Sequence, residues 1–189
     1  MNIGEQAHSL GQKLLILDRD GVINKDSDAY IKSADEWIPI PKSLSAISRL
    51  NQAGFLIGVA TNQSGLARKL FAEPALEQMH SKFKKLLHKQ AGHIDALVYC
   101  PHGPDDGCLC RKPKPGLYHK ISEQLGVPLE NAIVIGDSLR DLQAANAVQA
   151  IPILVRTGKG KITEKQGGLP AGTKIFDTLS TAVDAILKP

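Results

Sequence analysis

The stretch Leu14-Leu15-Ile16-Leu17-Asp18-Arg19-Asp20-Gly21-Val22 decides the fold: four consecutive apolar residues run into two carboxylates spaced two apart, and a glycine follows. A run this short, bounded by glycine, reads as a central parallel strand buried on both faces rather than as an amphipathic helix. Parallel sheets put their chemistry at the carboxyl ends of strands, which sets Asp18 and Asp20 at the mouth of the fold. Two neighbouring acids repel each other unless one is protonated or a cation lies between them. The pair therefore points to a Mg2+ site with one carboxylate free to act as nucleophile. The competing reading is a solvated Asp-Arg-Asp-Gly turn that merely ends a strand.

The length of 189 residues fits one domain spanning 1–189, long enough for a real core. With 42% hydrophobic and 22% charged residues, the composition is that of a soluble globular protein. No run of about 18 apolar residues is available to span a membrane. Residues Met1 to Leu10 lack the basic start and apolar run of a secretory signal, so the expected location is the cytoplasm. Three cysteines without such a signal argue for thiols or metal ligands, not for a disulfide framework. A net charge of +4 suits anionic substrates and falls well short of a dedicated nucleic-acid binder.

Outward from the first strand, residues 22–41 are polar and irregular and read as a flap leaving the site mouth. Ser43 to Ala53 carries Leu44, Ile47 and Leu50 on one face with Gly54 as a stop, which predicts a helix. Phe55 to Ala60 predicts a second buried strand ending in Thr61-Asn62-Gln63-Ser64-Gly65. Small hydroxyl and amide side chains at a strand tip, opening a glycine turn, suit a phosphate; they also suit an ordinary helix cap. Only 40 residues separate Asp20 from Thr61, too few for a large cap domain over the site. A helix is predicted from Glu73 to about Gln90, its Lys82, Lys84, Lys85 and Lys89 forming a solvated face.

Ala96 to Tyr99 predicts a third strand, which runs into Cys100-Pro101-His102-Gly103-Pro104-Asp105-Asp106-Gly107-Cys108-Leu109-Cys110. All three cysteines and one of the six histidines fall in this stretch. Cys100, His102, Cys108 and Cys110 supply the four soft or borderline ligands of a closed tetrahedral Zn2+ site. The spacing is not that of a nucleic-acid-binding finger, so the 100–110 segment reads as a zinc-stabilised loop, with chance clustering or a redox pair as the alternative. The histidines at 8, 80, 88, 93 and 119 read as structural. Arg111 and Lys112 follow Cys110 at once and would be held at the site mouth. Arginine offers phosphate a bidentate fork, and lysine offers a point charge that can lie against a carboxylate nucleophile. Lys112 is preferred for that place over Lys114. A helix over Leu117 to Leu125 ends at Gly126, and Ala132 to Gly136 predicts another strand ending in Asp137, with Asp141 beyond it. A fifth strand, Pro152 to Val155, and a closing helix, Leu179 to Leu187, complete an α/β pattern with a doubly wound, Rossmann-type parallel sheet.

Asp18-Arg19-Asp20-Gly21-Val22, Thr61, Lys112 and Gly136-Asp137 resemble, in order, the four motifs of the haloacid dehalogenase superfamily of phosphotransferases. Together with residues 61–68, the Cys-Pro-His and Cys-x-Cys-Arg-Lys-Pro block and Leu154-Val155-Arg156-Thr157-Gly158, they look like the branch that removes the 7-phosphate of D-glycero-D-manno-heptose 1,7-bisphosphate. A sister group, the histidinol-phosphate phosphatases, shares the zinc loop and the motifs. Ser138 is a departure, because some relatives have a substrate-contacting lysine there.

The resemblance implies Asp18 as nucleophile and Asp20 as general acid and base. It implies Mg2+ on Asp18, the main chain of Asp20 and Asp137, and phosphate contacts from Thr61, Asn62 and Lys112. Arg111, Asp26, Tyr30 and Ser64 would face the sugar and its distal phosphate. It further implies a small sugar bisphosphate substrate on the cytoplasmic route to the ADP-heptose of lipopolysaccharide; a monomer with no nucleic-acid or membrane partner is the accompanying expectation. A zinc-containing nucleic-acid-binding module is the alternative from another class, and it leaves Asp18, Asp20 and Asp137 unexplained.

Overall fold

The computed structural model describes residues 13–188; the reading of Met1 to Leu10 and of His8 lies outside them. Six strands, β1 (Lys13–Leu17), β2 (Phe55–Asn62), β3 (Ala96–Cys100), β4 (Ile133–Gly136), β5 (Ile151–Val155) and β6 (Lys174–Phe176), form one sheet in the order β3-β2-β1-β4-β5-β6. Every pairing is parallel, with Leu15 beside both Ile57 and Ile133 at the centre. Between and after the strands come α1 (Ser43–Gln52), α2 (Ser64–Ala67), α3 (Glu73–His88), α4 (Gly116–Leu125), α5 (Leu139–Asn146), α6 (Gly160–Gln166) and α7 (Leu179–Ile186). No helix among the described residues is long and apolar enough to cross a membrane.

Both faces of the sheet are covered, and β1 shows how. Leu15 and Leu17 point into one apolar layer with Ile57, Ile135, Phe83 of α3 and Val183 of α7, while Leu14 and Ile16 point into the other with Val134, Ile121 of α4 and Ala144 of α5. An uninterrupted apolar run is what a strand buried on both sides requires. The chain winds outward from β1 to β3, then crosses back to place β4 on β1's other side. The switch point between β1 and β4 opens a crevice beyond their carboxyl ends, the usual ligand position in such sheets. Asp18 follows β1 and Asp137 follows β4, and the Asp18 N–H donates to the Ile135 carbonyl at 3.0 Å.

The structure changes the reading of residues 22–41. Val22, Ile23 and Trp37 are fully buried, and the Trp37 ring lies 5.4 Å from that of Phe83. Asn24 bridges to Asp20 and to Pro39, closing the segment at its base. Only the portion around 25–36 stands over the crevice, and Lys82 of α3 pins it by donating to the Ala34 carbonyl. Apolar anchors spaced irregularly in a loop carry no period, which is why the segment looked like a free flap. Lys84, Lys85 and Lys89 are exposed as expected, so Lys82 alone departs from the solvated face.

Candidate active site

The tips of β1, β2 and β4 bring Asp18, Thr61 and Asp137 together, and the loop before α4 delivers Lys112 from the far side. Lys112, Asp18, Asp137 and Asp141 are all buried. The Lys112 ammonium lies 2.8 Å from Asp18 Oδ1 and 2.6 Å from Asp141 Oδ1, and it also donates to the Ala60 carbonyl at 2.7 Å. Lys114 points elsewhere, donating to the Cys108 carbonyl at 2.7 Å.

Asp18, Asp137 and Asp141 each offer an oxygen within 4.8 Å of the others. Three buried carboxylates against one ammonium leave a surplus of negative charge. Burial, with the neighbouring carboxylates adding to it, raises Asp137 to about 8. Burial likewise raises Asp18 to about 6 although Lys112 pulls the other way. A divalent cation on oxygen ligands is the chemical complement of such a cluster. Both oxygens of Asp141 are already engaged, by Lys112 on one side and by the Ser138 N–H and hydroxyl on the other. Asp18 and Asp137 are thus the carboxylates that fit a Mg2+ ion directly, and Asp141 stands behind Lys112. Asp137 is tightly wrapped: the Lys159 N–H donates to its Oδ2 at 2.8 Å, and a Cβ on Gly21 or Gly158, both at positive φ, would overlap its carboxylate. Here glycine is needed for conformation and for clearance together.

The expectation of Asp20 among the Mg2+ ligands is met only if its main-chain carbonyl serves, because its carboxylate is turned into a separate network. Oδ1 accepts from Asn24 Nδ2 at 2.8 Å, Oδ2 accepts from Gln63 Nε2 at 2.8 Å, and the Arg19 guanidinium forks onto both, with Nη2 2.9 Å from Oδ2. Burial opposes ionisation of Asp20, but the Arg19 charge and these donors outweigh it and hold the carboxyl below its usual range.

Asp26, Tyr30, Thr61, Asn62, Ser64 and Arg111 all line the crevice, together with Asp18, Asp20, Lys112 and Asp137. Asn62 turns out to be differently employed than its expected phosphate contact suggests: its amide clamps the Lys112 main chain, donating to the carbonyl and accepting from the N–H, both at 3.1 Å. Sequence reasoning missed Gln63, Arg68, Arg140 and Lys159, which also line the crevice. Gln63 and Arg68 lay within the quoted second motif. Arg140, next to Asp141 in the unrecognised α5, and Lys159 had no comparable signal. Of the histidines read as structural, His80 stands 3.2 Å from Arg19 Nη1 and His93 3.4 Å from Asp95.

Beside the crevice, Cys100, His102, Cys108 and Cys110 converge. Sulfur pairs lie 3.2 to 3.7 Å apart, and His102 Nδ1 lies 3.3 Å from Cys110 and 3.6 Å from Cys100. Zn–S bonds of about 2.3 Å and Zn–N bonds of about 2.0 Å in a tetrahedron require separations of about this size, so the four residues fit zinc. The loop they gather also carries Arg111, whose Nη1 donates to the His102 carbonyl at 3.2 Å.

A doubly wound parallel sheet with a buried strand-tip carboxylate on a lysine, and further acids ready for a hard cation, defines a class of phosphoryl-transferring hydrolases. The chain belongs to the haloacid dehalogenase-like hydrolases, whose family model matches residues 4–149. Within that class it is 55% identical over 179 residues to the D-glycero-beta-D-manno-heptose-1,7-bisphosphate 7-phosphatase of Pseudomonas aeruginosa, covering 95% of this chain and 100% of the relative. The enzyme of that name from Bordetella bronchiseptica is 52% identical, over 93% of this chain and 98% of the relative. A crystal structure of the B. bronchiseptica D,D-heptose 1,7-bisphosphate phosphatase complexed with magnesium and phosphate superimposes with a TM-score of 0.91 at 52% identity, covering 93% of this chain and 98% of that one.

Proposed function

We propose that the chain, as a single domain, is a Mg2+-dependent phosphatase that removes the 7-phosphate of D-glycero-beta-D-manno-heptose 1,7-bisphosphate. The observation that carries the chemistry is Asp18, at a buried strand tip, 2.8 Å from the Lys112 ammonium and within a carboxylate cluster short of a cation. Full-length identity above one half with relatives of that name supports the substrate. Asp18, Asp137 and the Asp20 carbonyl would hold Mg2+, which when bound would supply the charge neutralisation that lets an anionic phosphate approach two acids.

Asp18 attacks phosphorus in line, and the bond to the sugar oxygen breaks to leave an aspartyl-phosphate. Asp20 gives that oxygen a proton as it departs and later takes one from the water that attacks phosphorus, releasing phosphate and restoring Asp18. The free site keeps Asp20 ionised, so the protonated form needed first belongs to the substrate complex, where a phosphate dianion stands beside it. Thr61 and Lys112 neutralise and orient the phosphoryl oxygens. Arg111, with Arg68, Arg140 and Lys159 on the crevice wall, offers positive charge for a second phosphate, and Asp26, Tyr30 and Ser64 face the sugar. The three arginines favour a second phosphate over the distal group of histidinol phosphate, which is itself a cation. The acids at the centre disfavour nucleic acid. A cytoplasmic monomer acting ahead of ADP-heptose formation is consistent with this reading. Phosphate release from heptose bisphosphate and histidinol phosphate, side by side, tests it: preference for the latter would overturn the substrate assignment.

A further inference from the structure

Arg19 is fully buried and does not line the crevice, although it sits between the two acids in sequence. Withdrawing a guanidinium from water is costly unless close partners compensate it. Its partners are Asp20 on one side and His80, from the middle of α3, on the other. A guanidinium can only donate, so His80 Nε2 must accept, which puts the ring proton on Nδ1 and leaves the imidazole neutral. Opposite Arg19, Gln63 Nε2 donates both to Asp20 Oδ2 and to Thr61 Oγ1, each at 2.8 Å. A Thr61 hydroxyl that accepts from Gln63 keeps its own proton to donate into the crevice. The carboxylate and the hydroxyl are thereby aimed by one buried amide, and the carboxylate is fixed from behind by a fork that a histidine holds in place.

We infer that Arg19, His80 and Gln63 are positioning residues for the proton-transfer step, fixing the direction from which Asp20 meets the leaving oxygen. This rests on the acid–base role given to Asp20 above. Misalignment should matter only when the leaving group needs a proton. A sugar alkoxide needs one and a nitrophenolate does not, and kcat/KM covers the steps through departure of that group. His80→Leu, which strands the inner guanidinium N–H, and Arg19→Lys, which replaces the fork by a point charge, should lower kcat/KM for the sugar bisphosphate by about tenfold or more. With para-nitrophenyl phosphate the loss should stay within about twofold. His80→Gln keeps an acceptor and should recover most of the lost ratio.

Asp20→Asn belongs in the same comparison. If it depresses both substrates equally, the acid role itself fails. If it discriminates between them while His80→Leu and Arg19→Lys lower both equally or neither, the acid role stands and the positioning inference is overturned. Should His80→Leu not fold, Arg19→Lys and His80→Gln carry the same test.

Discussion

The carboxylates at the tips of β1 and β4 and the sulfurs that gather after β3 stand at the same edge of the sheet, but the protein holds them by different means. Asp18 and Asp137 directly follow strands and Asp141 lies in the first turn of α5; all three are buried and have partners of their own in Lys112, Ser138 and the Lys159 N–H. Of the four zinc-ready residues Cys100 ends β3 in the core, while His102, Cys108 and Cys110 lie in a run of turns with no helix or strand before Gly116, and the tip residue Leu109 is 80% exposed. The polar contacts of their ligand atoms are with one another. The acid site is therefore a preformed cradle that lacks only charge, whereas the loop lacks a framework. Losing the hard cation should stop chemistry and spare structure; losing the soft one should loosen the segment that carries Arg111 and Lys112.

Three experiments press on that contrast. Asp18→Asn nearly keeps side-chain volume and removes the nucleophile, so turnover should fall by more than about a hundredfold with the thermal midpoint close to wild type; a smaller loss belongs to an electrostatic or acid–base contribution alone. Brief EDTA treatment should abolish turnover reversibly, with added Mg2+ restoring it while one zinc per chain remains in elemental analysis; loss of zinc on that time scale would show the loop to be as open as the acid cradle. Cys108→Ser should lower zinc affinity by more than about tenfold and raise KM for phosphate substrates, without rescue by excess Mg2+. Fully active enzyme without zinc would remove the framework role of the loop.

The smallest expected effect concerns stability, at the residue that backs Arg19 behind the acid site. Burial, with the Arg19 charge second, depresses His80 from 6.5 to about 4. Between these values the unfolded chain binds a proton that the folded chain does not, so stability should fall as pH drops from about 6.5 towards 4. After allowance for the ring's partial exposure this amounts to about 2 kcal/mol. His80→Gln should flatten that part of a denaturation-versus-pH curve; an unchanged slope would mean that the folded ring titrates normally.

Much of this molecule is legible in its sequence because its signals are local. An apolar run ending in acid marks β1 and β4, and a glycine at positive φ stops α4 at Gly126 as read. Four ligands within eleven residues announce the thiolate loop. What escaped was short or non-local. The edge strand β6 has three half-buried residues and no alternation. α5 opens on a capping box between Ser138 and Asp141, in a stretch where the acids draw the eye before the helix start does. Asn62 clamping Lys112, and His80 backing Arg19 across 61 positions, pair residues that only the folded chain brings together.

The central claim is that Asp18 takes the phosphoryl group. Acid quenching of the enzyme during turnover of the heptose bisphosphate, followed by mass analysis of the N-terminal peptides, tests it most directly. The account predicts one phosphoryl group on Asp18, absent from Asp18→Asn and enriched in Asp20→Asn when para-nitrophenyl phosphate, whose leaving group needs no proton, is the substrate, because hydrolysis is then the slowed step. A phosphoryl group on another residue, or steady turnover with none trapped in wild type or Asp20→Asn, would contradict it.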